Sequence, residues 1–301
     1  LLILPKGVDA LLIGNIGRMN LIGVDIGGSH ISVGQITWDG NEVHIDAFYE
    51  ADVDTSGSAE EIITDWAKII KRAVSGSSEP RVGVAMPGPY DYENGISLIQ
   101  DQGKMRSLYG LSVKNLLATS LDLSPKRISF TNDAEAFLWG ESFAGAGRGL
   151  DRSIGLTLGT GLGSAFKAGD KVWDGKLWTS QFRDGIAEGY LGTDWVKRYM
   201  FESRGVTVSG FKELFSGDFS HEVVEEVMST FGEALGEFLL PQVTEMQCQG
   251  LVLGGKISRV SAHFLPYTKA YLEKQGCPLE IRISELEEKA SLIGACHSYL
   301  M

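Results

Sequence analysis

The chain is poor in cysteine. Its 301 residues include only Cys248, Cys277 and Cys296. They are odd in number, far apart and without a Cys-x-x-Cys spacing, which argues against both a disulfide framework and a zinc site. A reducing, cytoplasmic setting fits that usage. Basic residues are also few: 27 Lys and Arg stand against 39 Asp and Glu, a formal net charge of −12. Such a surface disfavours polyanionic partners, so neither nucleic acid nor an anionic membrane is expected. A small anionic ligand remains compatible, because backbone N–H groups bind phosphate without a basic patch. No apolar run is long enough to span a bilayer. The composition, 43% hydrophobic, suits one large or two medium globular domains.

The first twenty residues hold two short apolar clusters broken by Pro5 and Gly7. They lack the basic start and small-residue cleavage site of a signal peptide. The expectation is that 1–20 is an N-terminal extension, with a natural start at Met19 and the residues before it not native to the chain; an extra edge strand is the alternative.

From Leu21 onward the pattern is α/β. Leu21–Asp25 is an apolar strand that turns at Gly27-Gly28-Ser29 and returns over 31–36; Asp39-Gly40-Asn41 leads to a third strand over 43–49. Ser58 and Glu61 form a capping box for a helix ending near Val74, with Ile62, Ile63, Trp66, Ile69 and Ile70 inward. Arg81–Met86 is a buried strand stopped by Pro87-Gly88-Pro89, and 90–111 has no clean periodicity. Ile128–Phe130 is a strand followed by a helix with Asn132 as N-cap, Glu135 closing a capping box and Asp133 in the first turn. Strand 154–158, the turn Gly159-Thr160-Gly161-Leu162-Gly163 and strand 164–166 repeat the logic of 21–36. A duplicated glycine hairpin is a stronger signal than either hairpin alone. A long helix spans 221–240, with Gly232 and Gly236 one turn apart to permit close packing. Strand 250–253 ends in Gly254-Gly255, and Ser284 with Glu287 predicts a last helix from 285. The expected organisation is a lobe over 21–130 completed by a C-terminal helix 285–301, and a second lobe over 131–284.

Chemistry-bearing residues recur at strand ends. Glycine turns let backbone N–H groups approach a phosphate that a Cβ would obstruct. Asp25 puts negative charge beside such a turn, which is sensible if a cation is present, so Asp25 is expected to hold Mg²⁺ through water. Asp133, at a strand-to-helix junction, is placed to deprotonate a hydroxyl beside a bound phosphate. The competing readings are plain: Asn132-Asp133 as a cap, the glycines as turns, Lys104 and Arg106 as solvated charges, His30 as a turn residue, and Arg183-Asp184 as a surface ion pair.

These segments resemble, in order, the ROK group of sugar kinases, in the actin/Hsp70/hexokinase superfamily: DIGGS (25–29), MPG (86–88), TNDAEA (131–136), GE then AGAGRG (140–149), LTLGTGLGS (156–164) and LVLGGKIS (251–258). The resemblance implies duplicated ribonuclease-H-like domains, two lobes around a central cleft, and ATP-dependent phosphorylation of a hexose or hexose derivative. It implies Asp133 as general base and Asn132, Gly88 and Glu188 as sugar contacts. Gly27, Gly28 and Ser29 match the first phosphate loop. Gly159, Thr160, Gly161 and Gly163 match the second, and Gly254 and Gly255 the adenosine-side turn. ATP and Mg²⁺ are the expected cofactors, and a homodimer is what the group suggests. The sequence also departs from the group. Segment 176–192 carries neither the Glu-x-Gly-His element nor the cysteine motif, so no zinc is expected and the part of the site that distinguishes sugars is rebuilt. The alternatives are a sugar-sensing regulator, which would need a DNA-binding segment that twenty residues cannot supply, and a nucleotide- or sugar-binding protein without transfer activity.

Overall fold

The computed structural model describes residues 19–40, 42–74, 79–100 and 104–300. The extension expected before Met19 lies outside them. The chain forms two compact units, Leu1–Asn132 with Ala295–Met301, and Asp133–Gly294.

In the first unit, β1 (Met19–Ile26) pairs antiparallel with β2 (His30–Trp38), and β2 with β3 (Val43–Asp52). Helix α1 (Ala59–Val74) follows. Its capping box is formed: the Ser58 N–H donates to Glu61 Oε2 at 2.8 Å and the Glu61 N–H to Ser58 Oγ at 3.3 Å, satisfying first-turn donors that would otherwise face solvent. Ile62, Ile63, Trp66 and Ile70 are buried and Ile69 is half-buried. The chain then adds β4 (Arg81–Met86), parallel to β1. Within the irregular 90–111 stretch a small hairpin forms, β5 (Tyr90–Asp91) with β6 (Ile96–Ser97). Helix α2 (Val113–Leu121) leads into β7 (Ile128–Asn132), parallel to β4. The sheet order is β3-β2-β1-β4-β7. Its central strands read as continuous apolar runs, as buried parallel strands do.

The second unit opens with α3 (Asp133–Ala144). Strand β8 (Arg152–Leu158) pairs antiparallel with β9 (Leu162–Ala168), and β9 with β10 (Lys171–Asp174). A small hairpin, β11 (Gln181–Phe182) with β12 (Gly185–Ile186), precedes α4 (Glu188–Leu191), α5 (Thr193–Arg204) and α6 (His221–Met246). Then β13 (Gly250–Gly254) lies parallel to β8. After α7 (Ser261–Lys274), β14 (Glu280–Ile283) lies parallel to β13. The order β10-β9-β8-β13-β14 repeats that of the first sheet, strand for strand and direction for direction. The glycine hairpins 26–30 and 158–162 occupy the same topological place, between the first and second strands of each sheet.

Strand β9 starts at Leu162, inside the stretch read as a turn, and two helix boundaries also differ from expectation. Helix α6 runs through Pro241 instead of ending at Leu240. Proline removes one helical hydrogen bond, but Leu235, Leu239 and Val243 are buried in one apolar cluster that holds the helix on either side of it. Gly232 and Gly236 do bring α6 close to α7. A Cβ at Gly236 would stand 2.9 Å from the Tyr271 Cβ, and one at Gly232 would strike the Phe264 carbonyl. The last helix does not start at 285 but splits into α8 (Lys289–Ala295) and α9 (His297–Leu300). The reason is Glu141, fully buried on α3. It accepts the Ser284 hydroxyl at 2.5 Å and the Leu286 N–H at 2.9 Å on one oxygen, and the Ala146 N–H at 2.7 Å on the other. The donors of 284–286 are drawn to that carboxylate, and Glu287 adopts a left-handed φ of 52° that interrupts a helix.

Candidate active site

In the first unit three parallel strands end side by side. The register places Asp25 of β1 against Ala85 of β4, and Met86 of β4 against Asn132 of β7. The carboxyl ends of such strands are where open α/β sheets bind ligands. Asp25 is half-buried and immediately precedes the turn Gly27-Gly28-Ser29, closed by the Gly27 N–H donating to the His30 carbonyl at 2.9 Å. Asn132, 6% exposed, donates from Nδ2 to the Tyr92 hydroxyl at 3.1 Å. That hydroxyl donates in turn to the Met86 carbonyl at 3.1 Å, and Gly88 lies beside it, with room for no more than a tight Cβ. Tyr92 thereby orients the Asn132 amide. Sequence reasoning missed it because it falls in the aperiodic 90–111 stretch.

In the second unit Asp133 starts α3, half-buried, with Oδ1 accepting the Ala134 N–H at 2.9 Å. Burial pushes its carboxyl above the ordinary carboxylate value. The Ala134 N–H opposes that shift, and the negative charge of Asp174 on β10 adds to it. Asp174 is itself raised by burial, offset by the N–H and ammonium of Lys176. No local pattern singles out Asp174, since only the fold brings β10 to the start of α3. The turn 159–163 reaches the same place: a Cβ on Gly163 would stand 3.2 Å from that of Ala134. The turn is fastened by the Gly159 N–H donating to the Gly161 carbonyl at 3.0 Å, and by Thr193, whose N–H and hydroxyl both donate to the Gly159 carbonyl at 2.8 Å. Gly254 pairs with Thr157 in the sheet. Gly255, at φ 82°, lies so close to the backbone of Leu158 that no side chain fits. The turns 159–163 and 254–255 are therefore neighbours.

Glu188 opens α4, and its Oε2 accepts the Leu162 N–H at 3.0 Å, in the space left by the missing Cβ of Gly161. Arg183 and Asp184 do not pair with each other. Arg183 reaches Glu237 at 2.6 Å and lies over the rings of Phe182 and Tyr190, while Asp184 accepts the Tyr190 hydroxyl. His30 and Lys104 are exposed, yet each covers a glycine of the 27–29 turn.

Two sheets of repeated topology, with glycine turns and carboxylates at their strand ends, define an actin-like ATPase fold. The ROK family pattern matches residues 21–180, more than half of the chain, and the chain belongs to that family. A glucokinase of Thermotoga maritima is 36% identical over 172 residues, 56% of this chain and 49% of that protein, so the match spans about half of its length. A beta-glucoside kinase of Listeria monocytogenes is 24% identical over 301 residues, covering 94% of this chain and 98% of that one. A ROK family glucokinase from Streptomyces griseus, solved in complex with glucose and AMPPNP, superposes with a TM-score of 0.72 at 23% identity, over 93% of this chain and 98% of that one. At that identity the likeness is one of fold.

Proposed function

We propose that the protein transfers the γ-phosphoryl group of Mg-ATP to a hydroxyl of a hexose or hexose derivative. The observation that carries this is Asp133, a half-buried carboxylate with a raised pKa at the start of α3, beside the 159–163 turn. Burial and the Asp174 charge make it a stronger base than an exposed aspartate. In this reading Asp133 takes the proton of the sugar hydroxyl while that oxygen bonds to the γ-phosphorus and the bond to ADP breaks. The Asn132 amide, oriented by Tyr92, and the Gly88 backbone contact the sugar. Glu188 contributes through the carboxylate oxygen that does not accept the Leu162 N–H.

Gly27, Gly28 and Ser29, and separately Gly159, Thr160, Gly161 and Gly163, offer backbone N–H groups to phosphate. Gly254 and Gly255 lie on the adenosine side. Asp25 would hold Mg²⁺ through water, and one carboxylate suffices because that ion takes its other ligands from water and phosphate. The ion supplies charge neutralisation at the phosphates. The relatives named for glucose and for a beta-glucoside support a hexose-class acceptor without fixing which one. A cytoplasmic homodimer is the setting this reading implies.

The test is ADP release with Mg-ATP across hexoses and N-acylhexosamines. One sugar should stimulate release well above the others. Release that ignores every sugar would sink the reading and favour a nucleotide-binding protein without transfer.

A further inference from the structure

The turn Gly27-Gly28-Ser29 is not bare backbone. A Cβ built on Gly28 would stand 2.6 Å from Lys104 Nζ and nearer still to its Cδ, so the lysine stem lies across the glycine and its ammonium reaches the turn. The Gly27 position is covered in the same way by the His30 ring, 2.9 Å from a built Cβ at Cε1. Lys104 forms no ion pair or hydrogen bond among the described residues.

Its placement is set by its neighbours. Met105 is buried, and its N–H donates to the Thr55 carbonyl at 2.9 Å. The buried Thr55 hydroxyl donates to the Gly28 carbonyl at 2.7 Å. One residue thus ties the 104–108 segment to the turn. Next door, the Ser107 hydroxyl donates to the Gly57 carbonyl at 2.8 Å, and the Val53 N–H to the Ser29 carbonyl at 3.0 Å. A lysine next to an anchored residue and laid over a glycine turn, in a chain of net charge −12, adds positive charge to the N–H dipoles of that turn.

We propose that the Lys104 ammonium binds the polyphosphate of the nucleotide on the Gly27-Gly28-Ser29 turn. This rests on the kinase reading above for the identity of the ligand, and on the turn's own geometry for the anion. Lysine suits the task as a mobile point charge with three donors. It also lets a strongly acidic protein attract an anionic substrate.

The experiment is titration calorimetry of wild type, Lys104→Met, Lys104→Arg and the exposed control Lys68→Met with Mg-ATP and with inorganic tripolyphosphate, at low and moderate salt, followed by turnover. Lys104→Met should weaken both ligands about 10- to 100-fold and flatten the salt dependence. Lys104→Arg should recover much of the loss, and Lys68→Met should match wild type. Equal binding by wild type and Lys104→Met overturns the proposal. Lys104-dependent tripolyphosphate binding in a protein that phosphorylates no sugar would remove the kinase reading and leave the anion seat standing. Failure of wild type to bind either ligand would overturn both.

Discussion

The two glycine turns sit at the same point of two sheets with the same strand order, yet different side chains cover them. The turn at 27–29 is covered by His30 and Lys104. The turn at 159–163 is fastened by Glu188 and Thr193. A duplicated topology thus fixes where the backbone offers N–H groups but not how each turn treats an anion. The first can attract phosphate through side-chain charge. The second spends a carboxylate on its own backbone and must rely on the remaining N–H dipoles. The asymmetry extends to the helix after the last parallel strand: α3 follows β7 and begins with Asp133, whereas the stretch after β14 is spent on Glu141 and its helix starts late.

The largest expected effect comes from breaking the asymmetry at α3. Asp133→Asn should lower single-turnover phosphoryl transfer by about 10³-fold, the scale of a lost general base, while calorimetry shows Mg-ATP binding unchanged. Next is Glu141→Ala, which removes the acceptor of several buried donors and should cost about 3 kcal/mol in urea unfolding. Glu141→Gln should lose less, because an acceptor oxygen stays. Glu188→Ala leaves the Leu162 N–H without its acceptor and should cost about 1 kcal/mol, with Glu188→Gln restoring most of it in the same assay.

The smallest effect is a displaced pH profile. The Asp133 carboxyl lies above its ordinary value, so activity should fall as pH drops through that raised pKa, because the protonated acid cannot accept a proton. Asp174→Asn removes a repelling charge and should move this acid limb to lower pH, leaving the plateau rate nearly unchanged. The same linkage has a stability side. A group whose pKa is raised by folding favours the folded state below its unfolded value and loses that contribution as pH rises. Asp133→Asn should therefore raise Tm at neutral pH and show no gain in strong acid.

Much of this was legible in the sequence because it depends on local rules. Alternating and continuous apolar runs mark the strands, Ser58 with Glu61 marks a helix start, and glycine after a strand marks each turn. The glycine spacing in α6 likewise indicated a close helix partner. What escaped depends on contacts far apart in sequence. Tyr92 gains meaning only from Asn132, Asp174 only from Asp133, and Lys104 only from Gly28. Ser284 and Glu287 have the spacing of a helix cap, but a buried glutamate more than 140 residues away competes for the same donors. Helix α6 shows the converse: Pro241 is a local stop that burial on both sides overrides.

The central claim is tested most directly by mass spectrometry of a sugar panel incubated with Mg-ATP and either wild type or Asp133→Asn. The account predicts that wild type adds one phosphoryl group to a hexose or hexose derivative, and that the variant binds ATP but forms none of that product. Equal product from both proteins, or ATP binding by wild type with no phosphorylated sugar at all, would contradict it.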